Sequence, residues 1–407
     1  MTRIRIDSIA AGGDGVGRTE GMVVFVPRAA PQDTLDVCLS GKKRFARGSI
    51  NRVEEPSPDR VDPPCLHYVR DKCGGCQIQH LAYPAQLAAK AGIIRDGLIR
   101  IAKREAPLPS VDASPAEWRY RTKLTLAIRG RGHERAIGLH PFDDPRGVFQ
   151  LGDCPITDER VVAVWREIFG HADLLPERAS RGSVRILEDG SASVVIEGDS
   201  LWTNPDQLVE AIPSIDSLWW KPENQARRLI ASRRQDVSGA SFAQVNPGMA
   251  AILREHVLGL VRHHSPRSVV DGYAGSGATA IPLANDGINV TAIELDAAAA
   301  AACAALLPKT SRSLTGRVEE LLPSALPADL VLLNPPRTGL ADVVPAQLES
   351  ASPKPRAVIY VSCNPATLSR DLARMPAYRL ASLKGFDMFP QTAHVETVCE
   401  LVPEAAQ

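Results

Sequence analysis

The sequence predicts an α/β protein whose C-terminal part is a doubly wound parallel sheet, preceded by two smaller regions. Strand and helix patterns alternate over residues 241–407, which is typical of a parallel sheet with helices on both faces. Short strand patterns separated by glycine-rich turns fill residues 1–56, and residues 57–240 mix strand patterns with helical stretches. We therefore predict a small barrel, a mixed α/β central domain and a sheet domain, in that order.

The N-terminal range is predicted to form a small barrel of the OB kind. Its strand patterns IRIDSIA, GMVVFVP, TLDVCLS and RGSINRVEE follow one another at short, regular spacing, with the turn AGGDGVG after the first. Its last stretch contains five basic residues with no acidic residue among them, namely Lys42, Lys43, Arg44, Arg47 and Arg52. Such a run is most often a solvated face, but it also suits the phosphates of a nucleic acid.

Three of the eight cysteines, Cys65, Cys73 and Cys76, follow the linker-like run PSPDRVDPP with the spacing C-x7-C-x2-C. The two glycines between the last pair allow the backbone to fold around a metal centre. Cys154, in the turn-like LGDCPIT, is the candidate fourth ligand. Four thiolates suit a structural zinc or an iron–sulfur cluster, and the spacing does not separate the two. A redox dithiol in CGGC is a further alternative.

The rest of the central domain begins with a helix and returns to strands. Apolar residues recur at three- and four-residue steps over 81–106, which predicts an amphipathic helix that packs on the C-terminal sheet domain. Strand patterns follow in TKLTLAIRG, RAIGLHPF, SVRILEDG and ASVVIEGD, interrupted by the helical stretch ERVVAVWREIFG. A mostly antiparallel sheet with helices is the expected result.

A nucleotide-like site is predicted where the first strands of the parallel sheet end. In SVVDGYAGSGATAIPLA, residues 268–284, a strand pattern leads into a glycine turn and a helix start, where Gly275 and Gly277 let the backbone approach a ligand. The next strand pattern ends at Glu294, whose carboxylate suits the ribose hydroxyls of a nucleoside. A later strand ends in N-P-P at 334–336, which is typical of S-adenosylmethionine-dependent methyltransferases rather than dehydrogenases.

The residues that follow these strands point to methylation of a pyrimidine carbon. Arg337 stands after the N-P-P motif, where enzymes that methylate amino groups usually have an aromatic residue. Cys363 ends the next strand among turn-forming neighbours, which weakens the alternative of a buried structural cysteine. A thiolate that adds to C6 of a pyrimidine makes C5 nucleophilic toward a methyl donor. A base must then remove the C5 proton, and the candidates are His394 and Glu396.

At these motifs the chain resembles the RNA (uracil-5-)-methyltransferase family, in the form with an N-terminal TRAM domain and a [4Fe-4S] cluster. The matching pieces are CGGCQIQH, FAQVN (242–246), DGYAGSGATAIPLA, LLNPPRTG, VSCNPATLSRDL and DMFPQTAHVETV. The resemblance implies a TRAM barrel at 1–56 and a Rossmann-like S-adenosylmethionine methyltransferase domain at 241–407. It implies methylation of uridine C5 in RNA, with Cys363 attacking C6 and Glu396 accepting the C5 proton.

The resemblance also implies two sets of ligand residues. Gln244, Tyr273, Glu294 and Asn334 would line the S-adenosylmethionine site, and Cys65, Cys73, Cys76 and Cys154 would hold the [4Fe-4S] cluster. The spacing between the first two of these cysteines is two residues longer than usual in the family, and position 334 is aspartate in many members. RNA (cytosine-5-)-methyltransferases are the rival family. They carry a second cysteine after the N-P-P motif, which this chain lacks, so uracil is favoured.

The charge pattern is compatible with an RNA substrate. Although 47 basic residues balance 47 acidic ones, basic residues cluster at 42–52, 119–135 and 227–234, which predicts a surface that follows phosphates. Four aromatic residues are candidates for stacking on bases or for core packing: Trp118, Tyr120, Trp219 and Trp220.

The expected partner is RNA, and the cellular context follows from what the sequence lacks. The TRAM-like N-terminus and the cysteine segment favour 23S rRNA over tRNA as the substrate. The alternatives are a tRNA uridine or, in a different class, a cluster-containing RNA-binding protein without methyl transfer. No apolar run reaches roughly 18 residues, and the N-terminus lacks an apolar signal core. We therefore expect a cytoplasmic monomer that does not enter a membrane.

Overall fold

The computed structural model describes residues 2–41, 45–131, 134–199, 202–233 and 244–404, which form a barrel and two sheets. Several features singled out in the sequence lie outside these residues. They are Lys42, Lys43 and Arg44 of the first basic run, Arg234 of the last basic group, positions 242–243 of the FAQVN motif, and the boundary predicted at 240.

The N-terminal strands form a closed five-stranded barrel in the order β1-β2-β3-β5-β4. They are β1 (Thr2–Ile9), β2 (Gly15–Thr19), β3 (Met22–Val26), β4 (Thr34–Ser40) and β5 (Phe45–Glu55). Alternate residues such as Ile4, Ile6, Val24 and Val26 are buried inside, because successive side chains of a strand point to opposite faces. The predicted small barrel is confirmed.

The chain then crosses to the C-terminal sheet. It forms α1 (Leu66–Val69), α2 (Tyr83–Gly97), a π-helical turn at Leu98–Ala102 and β6 (Ser110–Asp112). Arg104 donates to three carbonyl oxygens of the C-terminal domain at 2.6–2.8 Å. β6 pairs in parallel with Lys384–Phe386 at the edge of the C-terminal sheet. The range 57–240 is therefore divided, because α2 to β6 pack on the C-terminal sheet, whereas the cysteine segment at 65–76 packs in the core of a separate central sheet.

The central sheet has seven strands in the order β13-β12-β11-β10-β7-β8-β9. The strands are β7 (Lys123–Arg129), β8 (Ala136–Leu139), β9 (Phe149–Gln150), β10 (Ala179–Ile186), β11 (Ala192–Gly198), β12 (Ser217–Pro222) and β13 (Arg228–Ser232), with helices α3 (Glu159–Gly170) and α4 (Asp206–Ala211). Only β11 and β12 pair in parallel. Trp165 of α3 is fully buried against this sheet, and Gly182 leaves room for its ring, since a Cβ there would lie 2.7 Å from it.

The C-terminal sheet has eight strands in the order β16-β15-β14-β17-β18-β20-β19-β6. The strands are β14 (Ser268–Gly272), β15 (Asn289–Glu294), β16 (Arg312–Thr315), β17 (Leu330–Leu333), β18 (Ala357–Ser362), β19 (Tyr378–Phe386) and β20 (Glu396–Pro403). The helices are α5 (Pro247–His263), α6 (Ala280–Asn285), α7 (Ala297–Leu306), α8 (Val318–Ala325), α9 (Val343–Ser350) and α10 (Pro365–Leu372).

This arrangement confirms the predicted doubly wound sheet. β14 to β18 are parallel, and β20 joins β18 in the antiparallel direction. Apolar residues are buried on both faces of the sheet, as its near-continuous hydrophobic strands require. The carboxyl ends of β14, β15, β17 and β18 meet at one edge, where open α/β sheets bind ligands. Within the described ranges, every helix is too short or too polar to cross a bilayer.

Candidate active site

Cys363 and Glu396 face each other across two neighbouring strands. Cys363 directly follows β18, and Glu396 is the first residue of β20. The register pairs Ser362 with Thr397, so the next residues outward, Cys363 and Glu396, lie opposite one another. Cys363 is half-buried, whereas Glu396 is only 5% exposed.

Arg337 completes this group, and sequence reasoning gave it no role of its own. Its side chain is exposed, and its positive charge interacts electrostatically with both the Cys363 thiol and the Glu396 carboxyl group. Burial raises the pKa of Cys363, the Glu396 carboxylate raises it further, and Arg337 lowers it. Burial raises the pKa of Glu396 to about 7, and Arg337 offsets part of that rise. The three side chains thus form one group of two acids, the thiol and the carboxyl, and one cation, the guanidinium.

His394, the other candidate base, lies in a different environment. It precedes β20 in a stretch without regular structure, and it is exposed. Its ring meets that of Phe389 edge-on, with centroids 6.1 Å apart. The alternation that predicted a shared face for His394 and Glu396 does not apply, because β20 begins only at Glu396.

Three of the four residues expected at the S-adenosylmethionine site follow adjacent strands. Tyr273 comes directly after β14, Glu294 ends β15, and Asn334 comes directly after β17. Glu294 accepts hydrogen bonds from the backbone of Gly275 and of Asp296, both at 2.8 Å. Tyr273, with φ of +64°, donates its N–H to the carbonyl of the residue before Glu294 at 2.9 Å. Tyr273 and Glu294 are thereby held beside each other at the glycine turn.

Asp271, next to that turn, is a buried acid that the sequence analysis missed. It is 1% exposed inside β14, and the Thr279 hydroxyl donates to it at 2.5 Å. Burial raises the pKa of Asp271 to about 7, and the hydrogen bond from Thr279 lowers it in part. The contact closes the turn between β14 and α6. A charged residue inside an otherwise apolar strand pattern was the available signal.

Gln244, the fourth expected residue, is half-buried and lies in the segment before α5. The adjacent Val245 carbonyl accepts hydrogen bonds from the backbone and hydroxyl of Thr122 at 2.8 and 3.3 Å. Asn246 caps α5 and donates to the Met388 carbonyl at 3.2 Å. The two residues after Gln244 are therefore held by Thr122, directly before β7, and by the segment before β20.

Residues 387–395, here called the junction segment, connect β19 to Glu396 and contact other parts of the chain. Asp387 forms an ion pair with Lys90 of α2, and both side chains are fully buried. Gln86 of α2 and Gln391 exchange two hydrogen bonds of 2.9 Å each. Tyr120 donates to the Pro390 carbonyl at 3.0 Å. The position of Glu396 therefore depends on contacts from residues far away in the sequence.

The cysteine segment also contacts the junction segment. The backbone N–H groups of Gln77 and Ile78, directly after Cys76, both donate to the Gln391 carbonyl at 3.2 Å. The Gln77 side chain accepts from the Ala393 N–H at 3.4 Å. The cysteine segment and the segment before Glu396 are therefore bonded at three points.

The four expected cluster cysteines line one cavity of about 240 Å³ in the central domain. They are Cys65, Cys73, Cys76 and Cys154, each 7–9% exposed. Apolar side chains such as Leu124 and Leu151 line the same cavity. Burial raises the pKa of Cys73 to about 12 and raises that of Cys154. Across the described parts of the chain, no three or more His, Cys, Asp or Glu side chains converge closely enough for a single metal ion.

The basic and aromatic residues singled out in the sequence have different surroundings. Arg119 pairs with Asp153 at 2.9 Å, and Arg135 donates to main-chain carbonyls, so both have structural partners. Tyr120 and Trp220 are buried at 5% and 0% exposure, and Trp118 packs against the same core. Trp219 is half-buried with the Arg227 guanidinium 5.2 Å from its ring centroid. Core packing thus accounts for three of the four aromatic residues.

Comparisons with known proteins indicate the same class of enzyme as the motifs, an RNA methyltransferase. A family model described as tRNA (Uracil-5-)-methyltransferase matches residues 311–402. An uncharacterized RNA methyltransferase of Thermosynechococcus vestitus is 32% identical and covers 98% of this chain and 97% of its own. Another, of Gloeobacter violaceus, is 33% identical over 98% and 95% of the two chains.

A solved structure shares the fold over the whole length. It is the crystal structure of Pyrococcus abyssi tRNA (uracil-54, C5)-methyltransferase in complex with S-adenosyl-L-homocysteine. Its TM-score is 0.72 at 24% sequence identity, and the match covers 98% of this chain and 100% of that one.

Proposed function

Because the chain belongs to the RNA (uracil-5-)-methyltransferase family, we propose that Cys363 is its nucleophile and Glu396 its base in methylating C5 of a uridine in RNA. Family membership confirms the predicted methyltransferase activity and S-adenosylmethionine as the donor. It thereby argues against the alternative of an RNA-binding protein without methyl transfer. The observation that carries the residue assignment is the position of Cys363 opposite Glu396, with Arg337 beside both.

The proposed reaction follows from the chemistry of the uracil ring. The Cys363 thiolate adds to C6, and the electron pair of the C5–C6 bond moves toward O4 and makes C5 nucleophilic. C5 then takes the methyl group from the sulfonium sulfur of S-adenosylmethionine. Glu396 then takes the proton from C5, the C5–C6 double bond re-forms, and the thiolate leaves. A carboxyl group with a pKa of about 7 suits this role, because it is partly ionised near neutral pH and can still accept a proton.

The target base must enter a partly enclosed site to react. Glu396 is almost fully buried, and Cys363 is half-buried at the edge of the sheet. A uridine stacked in a helix does not offer the face of its ring to such a thiol, so we propose that it is flipped out or already looped out.

We propose that the donor lies across the ends of β15, β14 and β17. Glu294 would accept the ribose hydroxyls, Tyr273 would contact the nucleoside, and Asn334 would lie beside the reacting end. The support is that these residues follow three adjacent strands next to a glycine turn. Gln244 would close the site from the segment before α5.

We propose that the cavity lined by Cys65, Cys73, Cys76 and Cys154 holds a [4Fe-4S] cluster. The support is that the four thiols line one cavity and that four cysteines are the usual donor set of such a cluster. The cluster would add a negative, redox-active centre at this site. The long spacing after Cys65 is compatible, because α1 begins there and takes up part of the intervening loop.

We propose 23S rRNA as the substrate, with the N-terminal barrel contributing to RNA binding as a TRAM domain. The support is the combination of a closed barrel and the four-cysteine cavity. A tRNA uridine is the second candidate, and a specific observation favours it: the structure that shares the fold over its full length belongs to a tRNA (uracil-54, C5)-methyltransferase.

The test of the mechanism is covalent trapping with RNA that contains 5-fluorouridine. The fluorine cannot be removed from C5 as a cation, so a methylated adduct remains on the enzyme. We expect trapping by the wild type and none by Cys363→Ala. Cys38→Ala, which removes an exposed cysteine of the barrel, is the matched control and should trap normally. Equal trapping by Cys363→Ala and wild type would refute the assignment.

The test of the substrate is nucleoside mass spectrometry of separated rRNA and tRNA from a deletion strain. Loss of 5-methyluridine from 23S rRNA supports the first candidate, and loss from tRNA alone supports the second.

A further inference from the structure

Arg337 lies on a tight turn between β17 and α9, next to β18, the strand that leads to Cys363. The Gly339 N–H donates to the Pro336 carbonyl at 2.8 Å, so residues 336–339 close a turn with Arg337 and Thr338 at its centre. Gly339 has a φ of +79°, a conformation that favours glycine. Because Arg337 lies on this turn, the direction of its guanidinium depends on what holds the turn in place.

Asp371 of α10 holds the exit of the turn. Its carboxylate is fully buried. Oδ2 accepts hydrogen bonds from the Leu340 N–H at 2.9 Å and from the Tyr360 hydroxyl at 2.7 Å. Tyr360 lies in β18, three residues before Cys363. One carboxylate oxygen thus joins the turn to the strand that ends at the thiol.

Arg370 holds the centre of the same turn. Its Nη2 donates to the Thr338 carbonyl at 2.9 Å, while Nε and Nη2 donate to Oδ1 of Asp371 at 2.9 and 2.7 Å. A Cβ added at Gly339 would lie 2.6 Å from both Arg370 Nη2 and Asp371 Oδ2. The turn is therefore bonded at two positions and packed tightly between them.

We propose that Asp371 is a positioning residue of the methyltransferase site, whose buried carboxylate holds the 336–339 turn so that Arg337 faces Cys363. The inference rests on the proposed function, because it gives Cys363 the role of nucleophile. Four donor contacts converge on this carboxylate, which is the arrangement that makes a buried charge tolerable. An asparagine has only one acceptor oxygen and cannot receive all of them.

The groups that face Cys363 and Asp371 fix the expected direction of the effect. The groups near Cys363 are Arg337 on the turn and Glu396 in β20. The groups near Asp371 are Tyr360 in β18, Tyr273 after β14, Arg370 in α10, Arg374 just after α10 and, through Arg374, Asp342. Glu396 is held by the pairing of β18 with β20 and stays in place if the turn moves. Burial and Glu396 then act without Arg337, and both raise the pKa of the thiol.

The experiment measures alkylation of Cys363 by iodoacetamide between pH 6 and 10 in the full chain without RNA, followed by peptide mass spectrometry. For Asp371→Asn we expect the alkylation rate at pH 7.5 to fall about three- to tenfold, since one pKa unit changes the thiolate fraction tenfold. Arg337→Ala should give a similar fall. The double variant should fall no further than Arg337→Ala alone, because both changes remove the same contact.

Asp342→Asn is the matched control. Its carboxylate is 82% exposed and pairs at 2.6 Å with Arg374, which follows α10, so its removal should leave the pH profile of Cys363 unchanged. A wild-type profile in Asp371→Asn would overturn the proposal. The proposal would also be overturned if Asp371→Asn lowered the alkylation rate as much in the Arg337→Ala background as in the wild type, since Asp371 would then act independently of Arg337.

Arg370→Gln provides a second reading in case Asp371→Asn does not fold. It releases the Thr338 carbonyl and removes the two bonds from Arg370 to Oδ1 of Asp371, but it keeps the Asp371 carboxylate with its bonds to Leu340 and Tyr360. A reduced alkylation rate in this variant supports the proposal, and an unchanged pH profile overturns it. Alkylation without RNA also separates this proposal from the proposed function. If trapping on 5-fluorouridine RNA does not depend on Cys363, the mechanism fails, while the alkylation data still decide whether Asp371 positions Arg337.

Discussion

Replacing Glu396 by glutamine should stabilise the folded protein at alkaline pH while abolishing turnover. The carboxyl group is 5% exposed, and its pKa rises from 4.5 to about 7 on folding. Below pH 4.5 it is protonated in both the folded and the unfolded chain, so its ionisation does not change the free energy of unfolding. As the pH rises from 4.5 to 7, the unfolded chain ionises while the folded chain stays protonated, so the folded state loses stability, and the loss levels off above pH 7. At about 1.4 kcal/mol per pKa unit, the loss is about 3 kcal/mol by pH 8.

The assay is urea unfolding at pH 5 and pH 8, followed by hydrogen exchange of amides in β18 and β20, so that the transition of the C-terminal sheet is observed separately. Glu396→Gln should gain about 3 kcal/mol over the wild type at pH 8 and much less at pH 5. Glu404→Gln, at an exposed position just beyond the same strand, is the control and should gain nothing. If wild type and Glu396→Gln show the same pH dependence, the carboxyl is not held in its protonated form, and the reasoning fails.

Three further outcomes are expected. Lys90→Met should lower the free energy of unfolding by about 3–5 kcal/mol, because it leaves the Asp387 carboxylate buried and unpaired. Adding Asp387→Leu should restore much of that loss in a double-mutant cycle. The rate of turnover should rise between pH 6 and 8 as Glu396, with its pKa of about 7, ionises, and it should keep rising above pH 8 because burial raises the pKa of the Cys363 thiol; a flat rate profile contradicts their roles. Cys76→Ser should lower the iron and acid-labile sulfide content and increase hydrogen exchange at residues 390–394, with Cys303→Ser as the control. The second effect is expected because Gln77 and Ile78, the two residues that follow Cys76, donate hydrogen bonds to the junction segment.

The fold was predictable where periodicity is strong and local. The glycine turns of the N-terminal barrel and the strand–helix alternation after residue 241 both correspond to the observed sheets. For 57–240, the packing of the helix at 81–106 on the C-terminal domain was predicted from its apolar face, but β6 was not, because it is three residues that pair with β19 across more than 270 positions of sequence. Such a short strand has no pattern of its own, and its place is decided by the free edge of the C-terminal sheet.

The candidate site was predictable at positions where a reactive residue type, such as the cysteine at 363, stands at the end of a strand and has few structural roles to explain it. Cys363 and Glu396 lie together because antiparallel pairing of β18 and β20 brings their ends to one point. Arg337 was noticed only as a departure from an aromatic position, since its approach to Cys363 depends on the 336–339 turn. Cys303 had no assigned role; it packs against Gly277, where a Cβ would lie 2.7 Å from its sulfur. Contacts of this kind come from tertiary packing and leave no spacing in the sequence.

The charges of the candidate site suggest an order of events under the proposed mechanism. Two acids, the half-buried Cys363 and the buried Glu396, lie near one cation, the exposed Arg337, so the presence of both anions at once is unfavourable. When the thiolate forms its bond to C6, its charge moves onto the uracil, and it disappears once C5 is methylated. The repulsion that the thiolate exerts on Glu396 then ends, and the pKa of Glu396 falls. Ionisation of the base is thereby favoured after the adduct has formed, which is the stage at which the C5 proton must be removed.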